Sequence, residues 1–250
     1  MTSLLSLLGR GTLAGATAGL VSGGFAWLFA EPVLDRAVRL EAAREEADGA
    51  GSAAAEVFSR STQHVGLLVA AVLTGAALGV LFAVVYAVLH RRNPDRAPWQ
   101  RSLRLAGAGF IGVWLLPFLR YPANPPGVGD PGTLDTRVNA WLAAMAIGLI
   151  AVAPAWRVHR WLEQHGRPAP LRQLAAATTV LAALASLFAL PGNPDAVTAP
   201  AALVWDFRVL SAASMGVLWG GLAVGFGLLG VRAARARTAA SVRTAAVPVA

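Results

Sequence analysis

Two short patterns in the chain place a carboxylate and a guanidinium two residues apart: Asp135-Thr136-Arg137 and Asp206-Phe207-Arg208. A valine follows each, Val138 and Val209, and a Pro-x-Asn-Pro segment precedes each, Pro122 to Pro125 in the first and Pro191 to Pro194 in the second. An aspartate where a helix begins can accept its orphan N–H groups and favours the helix dipole. An arginine in the same turn opposes that dipole, and near a bilayer it is costly unless paired or wet. The pattern therefore has two readings. In one, Asp135 and Asp206 are plain helix caps. In the other, the repeats exchange partners, Asp135 with Arg208 and Asp206 with Arg137, and the charge-assisted pairs lock two Pro-rich loops into a lid. Tyr121, Asn124 and Asn193 belong to the same loops and are read as structural lid residues.

Other chemistry is narrowed by what the chain lacks. Without cysteine there is no disulfide and no thiolate chemistry, and without lysine there is neither a Walker-type phosphate loop nor a Schiff base. A rhomboid-like Gly-x-Ser-Gly is missing, because "LVSGG" has Leu20 where glycine is needed. Glu45-Glu46 lacks the histidine pattern of a membrane zinc protease. The chain is read as a non-enzyme. His90, His159 and His165 are scattered over two loops and do not make a metal site by spacing, so they are read as interfacial side chains.

The elements that must carry these residues follow from composition. Of 250 residues, 56% are hydrophobic and 14% charged, and the mean hydropathy is +0.57. A soluble domain carries about a quarter charged residues. Charge-free apolar runs cover residues 11–30, 65–89, 105–119, 138–156, 173–190 and 209–231, and each is a candidate membrane helix. The first is read as a retained helix rather than a cleaved signal. The third is short and contains Pro117, and it can extend back past Arg104 if that side chain snorkels. With the N-terminus inside, inner segments hold 14 arginines against two acids, and outer segments hold seven arginines against 11 acids. That split matches the cytoplasmic bias of basic residues and puts both termini in the cytoplasm. The net charge of +8 is then topology rather than a nucleic-acid footprint. The expected fold is an all-α integral membrane protein of six transmembrane helices, residues 1–231, arranged as repeated hairpins with Pro-rich outer loops. Residues 232–250 are expected to form a disordered basic cytoplasmic tail on anionic lipid.

Both Pro-rich loops lie outside, so the repeat is parallel; the first two spans are a candidate third copy with Arg60 in the arginine position. Gly11, Gly15, Gly19 and Gly23 line one face of the first helix, with Gly75 and Gly79 on the second and Gly216 and Gly220, then Gly221 and Gly225, on the sixth. Such faces let backbones approach in lipid, either within the bundle or against a second membrane subunit. Between the first two spans, "EPVLDRAVRLEAAREEADGAGS" predicts a short helix starting at Pro32, with an Asp35–Arg39 pair and a stop at "DGAGS". Its acids form either a solvated face or a vestibule that concentrates cations.

"EVFSRSTQHVGLLVA", "LLPFLRYPANPPGVGDP" and "LVWDFRVLSAASMGVLWGGLAVGFG" resemble the CbtA family of cobalt transporter subunits over most of the chain, and "YPANPP-x-VGDP" is the most specific stretch. The resemblance implies a multi-pass protein of the bacterial plasma membrane. It also implies action in cobalt uptake with a small single-span partner carrying a His-rich motif, the alternative being a non-transporting assembly protein. The family is described with about five spans, against six counted here. Cobalt(II) would be cargo rather than a permanently bound cofactor, and it accepts imidazole and oxygen ligands. His64 and Glu31, at the mouths of the first two spans, and Asp130 in the lid are the candidate ligands, with ordinary interfacial roles as the other reading.

Overall fold

The computed structural model describes residues 3–47, 60–94 and 96–245. The "DGAGS" stop, Glu56 and Asp95 lie outside the described residues, as do the side chains of Glu45, Arg60 and Arg243. The described residues are all-α, and six helices are long and apolar enough to cross a membrane. The elements are α1 (Leu4–Phe25), α2 (Glu31–Ala47), α3 (Arg60–Leu89), α4 (Pro98–Gly109), α5 (Leu116–Arg120), α6 (Leu134–Gln164), α7 (Ala169–Leu187) and α8 (Ala201–Ala245). Leu5 is 80% exposed and Ile150 70%, which water would penalise and lipid would not.

Two wide π-turns join helices that would otherwise break. Ala26–Ala30 runs α1 into α2, and Phe110–Leu115 runs α4 into α5. Each ends two residues before a proline, Pro32 and Pro117. A proline donates no N–H, and its ring crowds the carbonyl four residues earlier, so a widened turn relieves the clash. The third span accordingly reaches from Pro98 to Arg120, past an exposed Arg104. The helix expected from Pro32 is present, over Glu31–Ala47.

The chain divides into two compact units. The first holds residues 1–28, 56–107 and 213–250. Here the glycine faces of α1 and α3 meet backbone to backbone. A Cβ on Gly11, Gly15 or Gly19 would run into the carbonyl oxygens of Gly79, Gly75 and Ala71 respectively. On α8 the helix contact falls on Gly221 and Gly225, against Ala18 and Ala14, whereas a Cβ on Gly216 or Gly220 would meet nothing. The register of α8 places the second pair inward and leaves the first open. Ser22 Oγ donates to Ser214 O at 2.8 Å and Ser102 Oγ to Ala223 O at 2.6 Å, so buried hydroxyls are satisfied by helix carbonyls. Phe82, Tyr86 and Phe226 form the aromatic centre of this unit.

The second unit holds residues 29–55 and 108–212. Gly112 abuts Gly148 of α6, and Leu116, Ala144, Ala183 and Leu187 make a core joining α5, α6 and α7. Val33 and Ala37 of α2 pack on Leu203 of α8, so α2 is anchored by an apolar face.

The helix ends depart from expectation at three places. α8 begins at Ala201, where Val204 N–H donates to Pro200 O at 3.1 Å, so Asp206 lies inside the helix and caps nothing. Asp135 sits exposed in the first turn of α6, one residue inside Leu134. Residues 232–245, expected to be disordered, continue α8. Ala and Arg are strong helix formers, and propagation from an existing helix needs no new nucleus.

Candidate functional site

The two Pro-rich loops lie in the second unit and bind each other through arginines. Arg120, the last residue of α5, reaches the end of α7. Its Nε donates to Leu187 O at 3.0 Å, and Nη2 donates to Leu190 O at 2.7 Å and Pro191 O at 2.9 Å. Leu187 closes α7 and the other two carbonyls belong to the chain just beyond it, where a cation suits the helix dipole. The guanidinium lies 5.0 Å from the Tyr121 ring centroid and 5.3 Å from that of Phe188. Tyr121 OH donates to Pro191 O at 2.6 Å.

The two repeat arginines then cross. Arg208 of α8 donates from Nε to Ala123 O at 3.2 Å and from Nη2 to Asn124 Oδ1 at 2.8 Å, both in the first loop. Arg137 of α6 sits with Nε 3.2 Å from Asp195 Oδ2 in the second loop, and donates from Nη2 to Asp130 O at 3.2 Å. The Asp195 side chain is only 6% exposed, and Thr133 Oγ1 lies 2.9 and 3.0 Å from its two oxygens. Arg137 Nε is buried but poorly aligned for a hydrogen bond, so the Asp195 contact is ionic.

The exchange between repeats exists with different partners from those expected. Asp206 pairs with Arg36 of α2 at 3.3 Å instead of Arg137, and Asp135 makes no bond to Arg208. The cause is where α8 starts: Asp206 is carried to the side of α2, and a loop carboxylate, Asp195, takes its place. Arg44 adds a second link from α2, donating to Thr198 O at 2.9 Å. Arg36–Asp206 is about half exposed and contributes little.

Gly129 makes the crossing possible. Its φ is +114°, and a Cβ would strike Arg137 Nη1. Gly129→Ala should lower stability by about 1–3 kcal/mol, read as a lower melting midpoint of the purified protein. Gly192→Ala, in the second loop where a Cβ meets nothing, should leave the midpoint unchanged.

Between the loops lies a cavity of about 480 Å³. Tyr121, Asn124, Arg137, Asn193, Asp195 and Arg208 supply its polar wall; Val128, Leu134, Val138 and Trp141 are on the apolar side. Asn193 Oδ1 accepts the Asp195 N–H at 3.3 Å.

Of the candidate metal ligands, Asp130 already has a structural task. Asp130 Oδ1 accepts Gly132 N–H at 2.8 Å and caps the 3₁₀ turn Pro131–Thr133, so its carboxylate serves its own loop. His64 belongs to the first unit, its ring 5.8 Å from that of Trp27, whereas Glu31 opens α2 in the second. Among the described residues no group of three or more His, Asp or Glu could hold a metal ion. His90 Nδ1 lies 3.1 Å from Tyr86 O and His165 Nδ1 2.7 Å from Trp161 O, each at a helix end.

Residues 4–230 match the family described as "Probable cobalt transporter subunit (CbtA)". The chain belongs to the CbtA family. No curated protein and no solved structure matches it. CbtA is a family of membrane transport proteins, and six apolar helices make this chain a multi-pass member. The stretch that resembles CbtA most specifically, "YPANPP-x-VGDP", is the first loop of the site, and the structure gives its residues work: Tyr121 and Asn124 bond across the loops, Gly129 clears Arg137, and Asp130 caps. Arg120, Asp195 and Arg36 were not legible as site residues. The sequence signal for Asp195 was the place where the repeat breaks, since Asp195 follows Pro194 where Pro126 follows Pro125.

Proposed function

We propose that this chain is the membrane subunit of a divalent metal uptake system, with cobalt as cargo, and that it forms the translocation path or its scaffold with a small single-span partner bearing a His-rich motif. The family match over residues 4–230 carries this reading. The charge split supports both termini cytoplasmic and the Pro-rich loops outside, in what the family resemblance implies is a bacterial plasma membrane. The acids of α2 then face the side from which metal arrives, where their field raises local cation concentration. His64 and Glu31 are candidate contacts for the incoming ion, and the absence of a multi-ligand group among the described residues favours ligands completed by the partner.

Gly216 and Gly220 favour a scaffold reading as well, since they present an open glycine pair on α8. Labelled cobalt and nickel uptake separates the two. In cells lacking other cobalt importers, expression with the partner should raise cobalt accumulation, and His64→Ala plus Glu31→Ala should remove most of the gain. Unchanged accumulation, with the protein present in the membrane, would leave the scaffold reading in front.

A further inference from the structure

We infer that the cavity between the Pro-rich loops binds an oxyanion, of the carboxylate or phosphate class, through Arg208 and Arg137, and does not bind a bare divalent cation. Donors and acceptors on its wall are unequally engaged. The amide and carboxylate oxygens are engaged, and the hydroxyls of Thr136 and Tyr121 are the remaining side-chain acceptors. Both oxygens of Asp195 are engaged by Thr133 and Arg137, Asn124 Oδ1 accepts from Arg208, and Asn193 Oδ1 accepts the Asp195 N–H. The donors are not all engaged. Arg208 Nη1 has no acceptor among the described residues, since the hydrogen bonds of that guanidinium leave from Nε and Nη2. Arg137 Nη1 also makes no hydrogen bond among them, since the contacts of that guanidinium leave from Nε and Nη2. The side-chain amide nitrogens of Asn124 and Asn193 likewise make no hydrogen bond in the loop network.

Charge points the same way. Two guanidiniums and one carboxylate line the cavity, leaving it one positive charge in excess. A bare dication would meet repulsion from both arginines and would compete with Arg137 for the only carboxylate on the wall. An oxyanion gains two charge-assisted donors whose planar forks suit carboxylate and phosphate geometry. The volume, about 480 Å³, fits a small organic anion, and the side formed by Val128, Leu134, Val138 and Trp141 admits an apolar body. This inference concerns the cavity and not the cargo, so it stands or falls separately from cobalt uptake. If metal does pass here, the chemistry requires it as an anionic chelate.

The source of the oxyanion is either a soluble acid or a lipid headgroup, and two arms distinguish them. Full-length protein in nanodiscs of pure phosphatidylcholine is titrated calorimetrically with citrate, inorganic phosphate and cobalt chloride. In parallel, protein from mixed nanodiscs containing phosphatidylglycerol is examined by native mass spectrometry for retained anionic lipid. Arg208→Gln removes the charge. Because it also cuts a loop tie, Ala140→Phe is tested beside it, filling the cavity from α6 while both arginines keep their charge. Far-UV circular dichroism and size-exclusion profiles confirm that both variants fold. Saturable citrate or phosphate binding, weakened tenfold or more in both variants, supports a soluble anion. Retained phosphatidylglycerol lost in both variants, without citrate or phosphate binding, supports a headgroup. No anion in either arm overturns the inference. So does anion binding that survives both substitutions, or cobalt chloride binding that both abolish.

Discussion

Gly15→Leu should leave little folded protein in the membrane. A Cβ at Gly15 would occupy the space of the Gly75 carbonyl and press on the Gly79 Cα, and neither is a side chain that can turn away. The only accommodation is to part α1 from α3 along their length, which also loosens Ala14 and Ala18 from Gly225 and Gly221. Overpacking of a tight core typically costs 1–3 kcal/mol, and a backbone collision belongs at or above the upper end, so about 3 kcal/mol or more is expected. The control is Gly9→Leu on the same helix. Gly9 is exposed and a Cβ there meets nothing, so leucine should be neutral or slightly stabilising. Thermal melting of detergent-solubilised protein, followed by size exclusion, compares the two. Equal melting of both variants would mean that the glycine seam is not what holds the hairpin.

The second large effect is at Asp195. Asp195→Asn should destabilise the loop pair by about 1–3 kcal/mol, because it strips the counter-charge from Arg137 and weakens the Thr133 bond. The figure stays below that for a fully buried pair because the Arg137 side chain is 30% exposed. Arg137→Gln should cost a similar amount, and the double substitution should cost clearly less than the two added together. Asp206→Asn combined with Arg137→Gln should instead be additive, since Asp206 is bonded to Arg36 and shares no partner with Arg137. The two cycles, measured by thermal melting, separate the observed crossing from the Asp206–Arg137 exchange. Additivity in the first and coupling in the second would reverse the assignment.

Much of the fold was legible because lipid imposes a simple code. Six apolar runs and a one-sided arginine distribution are enough to locate six helices, and the i+4 glycines on α1 and α3 announce a close helix contact. The helix ends were less legible. Asp206 and the 232–245 segment were misplaced because residues 201–208 and 232–245 are ordinary helix formers that the apolar criterion excludes. The π-turns left only an indirect trace in Pro32 and Pro117. In the site, the repeat pointed to Arg137 and Arg208 and to Asn124 and Asn193, because paired motifs are visible in one dimension. Their partners were not visible. Loop pairing has no period, and a carboxylate two residues from an arginine reads as its counterpart even when the helix start turns it elsewhere. Arg120 looked like an interfacial arginine at a span end, and nothing local showed that it would donate to the last carbonyl of α7 and to two carbonyls of the loop beyond it.

The glycine seam of α1 and α3 has a chemical consequence of its own. Where a Cβ on Gly11 would meet Gly79 O, the glycine carries a Cα hydrogen, and the reverse holds from Gly79 to Gly11 O; Gly15 and Gly75 repeat this reciprocity. These are Cα–H···O contacts between main chains, each contributing roughly 0.5–1 kcal/mol where no water competes. They involve no titrating group and no ion, so acid, base and salt leave them untouched. The loop network is held by guanidinium–carboxylate and guanidinium–carbonyl contacts, and a bulk electrolyte screens its exposed members. Raising ionic strength should therefore loosen the Pro-rich loops well before it disturbs the α1–α3 hairpin.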